Sequence, residues 1–280
     1  MKIVSFGNCN AHGIGLALAQ MMPDHEVISY EYVAVKRDNQ TEEALSKLKG
    51  ADLVFSNMNA PEFPMTGEAS VSRNVVLYPS VSFTGFHPDC CVLPNISPLG
   101  PYHSMIAVAG FTLGLSLDDT LKLYRDDVFE RLNYYSEFEA AKSFYLNHVK
   151  SFDFDLTVDF DCWIAQGAFM HTVNHPKVFA LTDLAFHLAK KSDLTNRYAK
   201  RVEALQDWLS GHPIFAVYPE IASRIGVETQ PLFKRSGFNS QSVMSLRTFV
   251  ELSLKLYQGV AQMPTTDRLT GVTETIRQII

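Results

Sequence analysis

The chain has 280 residues, 46% of them hydrophobic and 19% charged, with a formal net charge of −6 at pH 7 and a pI near 5.8. That balance supports a sizeable core and excludes the broad basic face of a nucleic-acid binder. No run approaches the ~18–20 apolar residues of a membrane span, and no secretory leader is read where Lys2 and the short Ile3–Phe6 run give way to Gly7.

The first third alternates in type. Lys2–Phe6 reads as a strand and Ala11–Met22 as a helix. Glu26–Val33 reads as a strand, Thr41–Lys49 as a short helix, and Ala51–Ser56 and Asn74–Tyr78 as strands. Strands alternating with helices predict βαβ units and a parallel sheet. Right-handed crossovers put the carboxyl ends of the strands along one edge, where open α/β sheets bind ligands. Cys9, Asn57 and Pro79 each follow a strand and are expected to face that edge.

The stretch from Pro79 to Pro101 holds five of the thirteen prolines, together with His87, Asp89, Cys90 and Cys91. It reads as a rigid, functional loop. Beyond Tyr102 the chain reads as mostly helical, over Ser104–Leu115, Asp118–Asp127, Val128–Val149, Pro176–Lys191, Asn196–Leu209 and Ser242–Tyr257. Phe152–Val158 is ambiguous between strand and loop. Without a linker, one α/β domain over 1–280 is expected, with 1–100 as the βαβ core and 101–280 as a helical elaboration that completes the site.

Three segments carry candidate chemistry. In the first, Gly7-Asn8-Cys9-Asn10 stands between a strand and a helix start. Gly7 permits the sharp turn. The positive end of the helix favours a thiolate and is expected to lower the Cys9 pKa. In the second, Phe83 to Asp89, Gly85 permits close backbone approach, Phe83 and Phe86 offer rings for stacking, and His87 offers a donor. A turn packed by two aromatics and capped by Asp89 explains the same residues.

In the third, Asn174-His175-Pro176, the proline is expected at the first position of a helix. That puts His175 at the cap, held neutral as a general base. His171 reads as a satisfied polar residue, and with no third ligand a metal site is not expected. Asp153, Asp155, Asp159 and Asp161 are candidates for an acidic partner of His175. The four cysteines lack metal-type spacing and read as reduced thiols of a cytoplasmic protein. Gly13 and Gly15 do not form a dinucleotide fingerprint.

Taken in order, Gly7-Asn8-Cys9-Asn10, Pro79 through Gly85-Phe86-His87-Pro88-Asp89, and Asn174-His175-Pro176 resemble the WcbI family of polysaccharide-biosynthesis acetyltransferases, with the likeness covering most of residues 1–190. The resemblance implies an SGNH-like three-layer fold with a cysteine in the serine position, coenzyme A (CoA) as acyl donor, and a sugar of a capsular or surface polysaccharide as acceptor. Carried over, Cys9 takes the nucleophile position, His175 is the base, and Gly85-Phe86-His87-Pro88 lines the pocket. Gly7, Asn10, Asn57 and Asn174 complete the donor site. Backbone N–H groups after Cys9, with Asn8 or Asn57, are expected to hold an oxyanion. Lys36, Arg37 and Arg73 are the nearest cations for CoA phosphates. A cysteine hydrolase on the same fold and a non-catalytic glycan-assembly protein are the alternatives, and a homo-oligomer is compatible with each.

Overall fold

The computed structural model describes residues 1–58, 74–194, 205–237 and 242–280. The first stretch runs β1 (Lys2–Gly7), α1 (Asn10–Met21), β2 (Glu26–Glu31), α2 (Tyr32–Arg37), α3 (Thr41–Lys49) and β3 (Leu53–Ser56), followed by β4 (Val75–Leu77). A hairpin follows, β5 (Cys90–Ser97) and β6 (Gly100–Ser104), then α4 (Met105–Thr112), α5 (Leu117–Leu121), α6 (Asp126–Arg131), α7 (Glu137–Lys150) and α8 (Thr157–Ala165). Next come β7 (Met170–Thr172), β8 (His175–Pro176), α9 (Val178–Lys191) and α10 (Pro219–Ile225). The last elements are β9 (Phe233–Lys234), β10 (Val243–Met244), α11 (Leu246–Tyr257) and α12 (Asp267–Arg277). Among the described residues, no helix is long and apolar enough to cross a membrane.

The elements fall into two compact units. The first comprises Met1–Ser82, Tyr145–Trp163 and Asn174–Leu209. Its sheet has the order β2-β1-β3-β4, every pair parallel. Alternation along β1 divides its side chains between two layers. Val4 and Phe6 join Tyr30, Val35, Ala44, Leu48 and Val54 in one buried cluster. Ser5 points the other way and donates to the Ala11 carbonyl at 2.8 Å. On that side α1 lies close to α9, where Leu181 Cδ1 sits 2.4 Å from the point a Cβ on Gly13 would occupy. A larger residue there would push the two helices apart.

The second unit comprises Phe83–Phe144, Ile164–Val173 and Ser210–Ile280. The antiparallel β5–β6 hairpin sets Cys90 opposite Ser104. Two aromatic clusters fill this unit. Phe83, Phe86, Phe138 and Phe169 have ring centroids 5.1–5.8 Å apart. Phe233 stacks on Phe249 at 4.1 Å, with Phe215 edge-on to Phe233 at 5.0 Å. Buried Asp89 accepts from the Tyr218 hydroxyl at 2.6 Å, the Tyr134 hydroxyl at 2.9 Å and the Ile106 N–H at 2.9 Å. The last of these is an unpaired amide of the first turn of α4, so the carboxyl serves that helix start. Burial pushes the Asp89 carboxyl above the usual carboxylate range.

Several elements depart from the sequence pattern. The strand expected to reach Val33 ends at Glu31, because Tyr32 and Val35 repeat at helical spacing. Tyr32 meets the Phe6 ring edge-on at 6.3 Å, and Val35 is buried. The helix expected over Val128–Val149 breaks at Asn133, whose φ of 57° ends α6 before α7 begins. The proline-rich stretch is a loop only as far as Asp89; from Cys90 it is hairpin. Of Phe152–Val158, the residues up to Leu156 are loop, and Thr157 and Val158 open α8. Most of the helix expected over Asn196–Leu209 lies outside the described residues, and Trp208–Gly211 is a 3-10 turn.

Candidate active site

The strand order places β1 between β2 and β3. The chain runs from β1 to β2 on one side and then crosses back to β3 on the other. This reversal is a topological switch point, where the loops leaving adjacent strands diverge and open a crevice at their carboxyl ends. The residues that follow β1 and β3 stand at that crevice.

Asn8 and Asn57 join the two loops. The Asn57 amide nitrogen donates to Asn8 Oδ1 at 2.6 Å. Asn57 Oδ1 in turn accepts from the Asn8 backbone N–H at 3.0 Å. Asn8 Oδ1 also accepts from the Asn10 N–H at 3.0 Å, and Asn8 Nδ2 donates to Ser80 Oγ at 3.0 Å. A Cβ on Gly7 would stand 1.9 Å from Asn57 Oδ1, so this close approach requires glycine. One N–H of each Asn8 and Asn57 side-chain amide is therefore engaged in joining the loops.

Asn10 gathers a third loop and the Asn174 segment. Its Oδ1 accepts from the Val81 N–H at 2.9 Å, and its Nδ2 donates to the Asn174 carbonyl at 3.3 Å and to Cys9 Sγ at 3.7 Å. Asn10 is fully buried, so its amide is held by partners on both sides.

Cys9 is the N-cap of α1 and is half-buried. Its thiol donates to the Asn174 carbonyl at 3.7 Å. The backbone N–H groups of Cys9 and Asn10 act on the sulfur and favour negative charge there, as expected for a helix start. Burial opposes them and wins, with the charge of Glu31 adding to its effect. The thiol is pushed up to about 12. The expectation of a lowered pKa therefore fails, because desolvation outweighs the helix terminus. At neutral pH the site holds a thiol.

His175 is buried next to Asn174 in the sequence. It does not cap a helix: His175 and Pro176 form β8, Lys177 is the N-cap of α9, and the helix begins at Val178. Pro176 thus precedes the helix instead of opening it. Asp159, one of the four acidic candidates, accepts instead from His187 Nε2 at 2.8 Å. Asp155 caps α8, accepting from the Thr157 N–H and hydroxyl at 3.0 and 2.7 Å. Asp153 lies 3.5 Å from Lys191.

The Phe83–Asp89 segment belongs to the second unit. Gly85 has the Phe83 ring 2.5 Å from its Cβ position, so a neighbouring ring takes up the close approach it permits. Phe86 and His87 are buried, packed against Phe138 and Phe169 and against Phe215. Among the cations suggested for phosphate, Arg37 pairs with Asp38 at 2.8 Å and Lys36 lies 4.5 Å over the Tyr32 ring. Arg73 lies outside the described residues. The sequence reading did not single out His12, whose Nδ1 lies 2.9 Å from Ser29 Oγ. This histidine sits one turn beyond Cys9 on α1, a spacing that the sequence displayed.

A family model described as "Polysaccharide biosynthesis enzyme WcbI" matches residues 2–197. The chain belongs to the WcbI family of polysaccharide biosynthesis enzymes. The match takes in the switch-point loops, Asn174 and His175. Comparison with curated proteins finds no match. Among solved structures, one described as "WcbI, a novel polysaccharide biosynthesis enzyme" shares the fold with a TM-score of 0.66. It is 12% identical, and the alignment covers 99% of this chain and 94% of that one. Its description specifies the native protein without a disulfide bond between CoA and one of its cysteines.

Proposed function

We propose that this WcbI-family chain is a CoA-dependent O-acetyltransferase that acylates a hydroxyl of a capsular or surface-polysaccharide sugar, or of its precursor, on an SGNH-like core. The observation that carries the reading is the position of Cys9, the N-cap of α1 at the switch point, with the Asn10 side-chain amide donating to its sulfur at 3.7 Å. The relative's description names CoA together with one of its cysteines, which supports CoA as the ligand of the site.

Because the resting group is a thiol, its proton must leave as the sulfur attacks. His175 is assigned as the base. Cys9 Sγ bonds to the acyl carbon, the thioester C–S bond breaks, and the proton passes through His175 to the departing CoA thiolate. The acceptor hydroxyl then attacks the acyl carbon and gives its proton to His175, and the Cys9–acyl bond breaks to restore the thiol. The Cys9 N–H and the Asn10 side-chain amide, which donates to Cys9 Sγ at 3.7 Å, are assigned to the charge that develops beside the sulfur. Removing a donor of this kind typically costs ~10²–10³ in rate.

Intact-protein mass spectrometry after brief exposure to acetyl-CoA without acceptor tests the reading, in wild type and Cys9→Ala. A gain of one acetyl group that maps to Cys9 and is lost in the variant is the expected result. No gain, with CoA still raising the melting temperature, points to direct transfer with His175 activating the hydroxyl. No gain and no thermal shift removes CoA and leaves a hydrolase or a binding protein.

A further inference from the structure

The first unit carries an aromatic feature that the proposed chemistry leaves unused. The chain has two tryptophans. Trp163 is fully buried, with its indole N–H donating to Asp183 at 2.8 Å. Trp208 is 43% exposed. Its ring packs edge-to-face against His12, with centroids 4.9 Å apart and planes at 61°. His12 is fixed from below, since its Nδ1 and the Ser29 hydroxyl are 2.9 Å apart.

His12 also locates Trp208 relative to the nucleophile position. It follows Cys9 by three residues on α1, and residues at that spacing stand one above the other on a helix face, about 5–6 Å apart at Cβ. His12 therefore stands one helical turn from the thiol, and the exposed indole packs on His12.

The surrounding charge discriminates between ligands. Asp207 precedes Trp208 and acts on half-buried Lys177. Glu31 acts on Cys9. Burial lowers the His12 pKa from its ordinary 6.5, so the ring is neutral at pH 7. Two carboxylates against one ammonium give this side of the site no excess of positive charge for phosphates. They suit a neutral ring rich in hydroxyls, whose C–H face packs on an indole while its hydroxyls donate to carboxylates.

We propose that Trp208 is the stacking platform for the acceptor sugar, held by His12 beside Cys9. This assignment rests on the acyl-transfer reading and extends it to the acceptor side of the same site.

Acrylamide quenching of tryptophan fluorescence tests it, in wild type and Trp208→Phe. Buried Trp163 supplies the shared background. The probes are methyl glucoside, methyl galactoside and methyl mannoside at ~100 mM, since contacts on a single ring give millimolar-class affinity. Sorbitol at equal concentration is the control, and CoA is tested alone. At least one glycoside is expected to cut the Trp208 quenching constant by about half, as covering one face of an exposed ring requires. CoA and sorbitol should leave it unchanged, and the Trp208→Phe protein should show no glycoside effect.

Protection by CoA and by no glycoside would overturn the proposal and assign the ring to the donor. Protection by neither would overturn it outright. Melting temperatures with CoA in the same samples separate the two failures. A CoA shift without glycoside protection sinks the acceptor platform alone. Absence of any CoA shift, together with absence of Cys9 acetylation, sinks the donor reading whatever the glycosides do.

Discussion

Asn57 and Asn8 bond to each other twice, side chain to side chain at 2.6 Å and side chain to backbone at 3.0 Å. The pair ties the loop after β3 to the loop after β1 and so sets where Cys9 enters α1. The amide is needed at Asn57 because one end donates and the other accepts. In Asn57→Asp a carboxylate oxygen would face Asn8 Oδ1, with no proton between them. A loss of ~1–3 kcal/mol is expected, measured by urea denaturation.

Gly7 and Asn57 should be coupled in stability. A methyl at Gly7 overlaps Asn57 Oδ1, and overpacking of this kind costs about 1–3 kcal/mol. Shortening Asn57 to alanine removes the atom it would strike. The Gly7→Ala/Asn57→Ala double variant is therefore expected to lose less stability than the sum of the single changes, whereas independent sites would add.

Alkylation should expose the buried character of the Cys9 thiol. With the thiol pushed up to about 12 from an ordinary 9.0, its thiolate population at neutral pH is about a thousandfold lower than that of a free cysteine. Iodoacetamide at pH ~7.5 should therefore label exposed Cys162 well before Cys9. Labelling of Cys9 should keep rising beyond pH ~10, where an ordinary thiol has levelled. The sign for stability follows from the same shift. Folding favours the protonated thiol, so the Cys9 contribution is full below pH 9 and is lost as the pH rises through about 12. Peptide mapping against Cys9→Ala checks the labelling order.

Asp89 should behave as an anchor of the second unit. Asp89→Ala would leave two buried phenols and the Ile106 N–H without their acceptor. Unsatisfied groups cost ~1–3 kcal/mol each, so a total of at least ~3 kcal/mol is expected. Tyr218→Phe, which removes one donor to a carboxyl, should cost about 1.5–3 kcal/mol. Denaturant unfolding monitored by near-UV circular dichroism reads both.

The Asp159–His187 pair should matter to stability and leave acyl capture alone. Asp159→Asn weakens a 2.8 Å contact that involves no residue of the switch-point loops. A double-mutant cycle with His187→Gln should give a coupling of about 0.5–3 kcal/mol, while Cys9 acetylation proceeds at the wild-type rate. A matching fall in acetylation would instead make Asp159 part of the site.

The parallel α/β core could be read from the chain alone, because apolar period and turn residues are local properties. Ile3 to Phe6, Val27 to Tyr30 and Leu53 to Phe55 announced their strands without reference to anything distant. The position of Cys9 at a strand end was legible for the same reason. The order β2-β1-β3-β4 was not, since strand order depends on which crossover passes over which face. The Asn8–Asn57 pairing was hidden because its members stand 49 positions apart, and Asn10 shows nothing in sequence of its bonds to Val81 and Asn174. The thiol pKa reversed for a related reason. A helix start is visible in a sequence, but the burial that overrides it is built from segments far apart along the chain. Local pattern determined the elements and the chemistry they could present. Tertiary packing alone decided which atoms meet, because hydrogen bonding, desolvation and strand order arise only when distant segments close on one another.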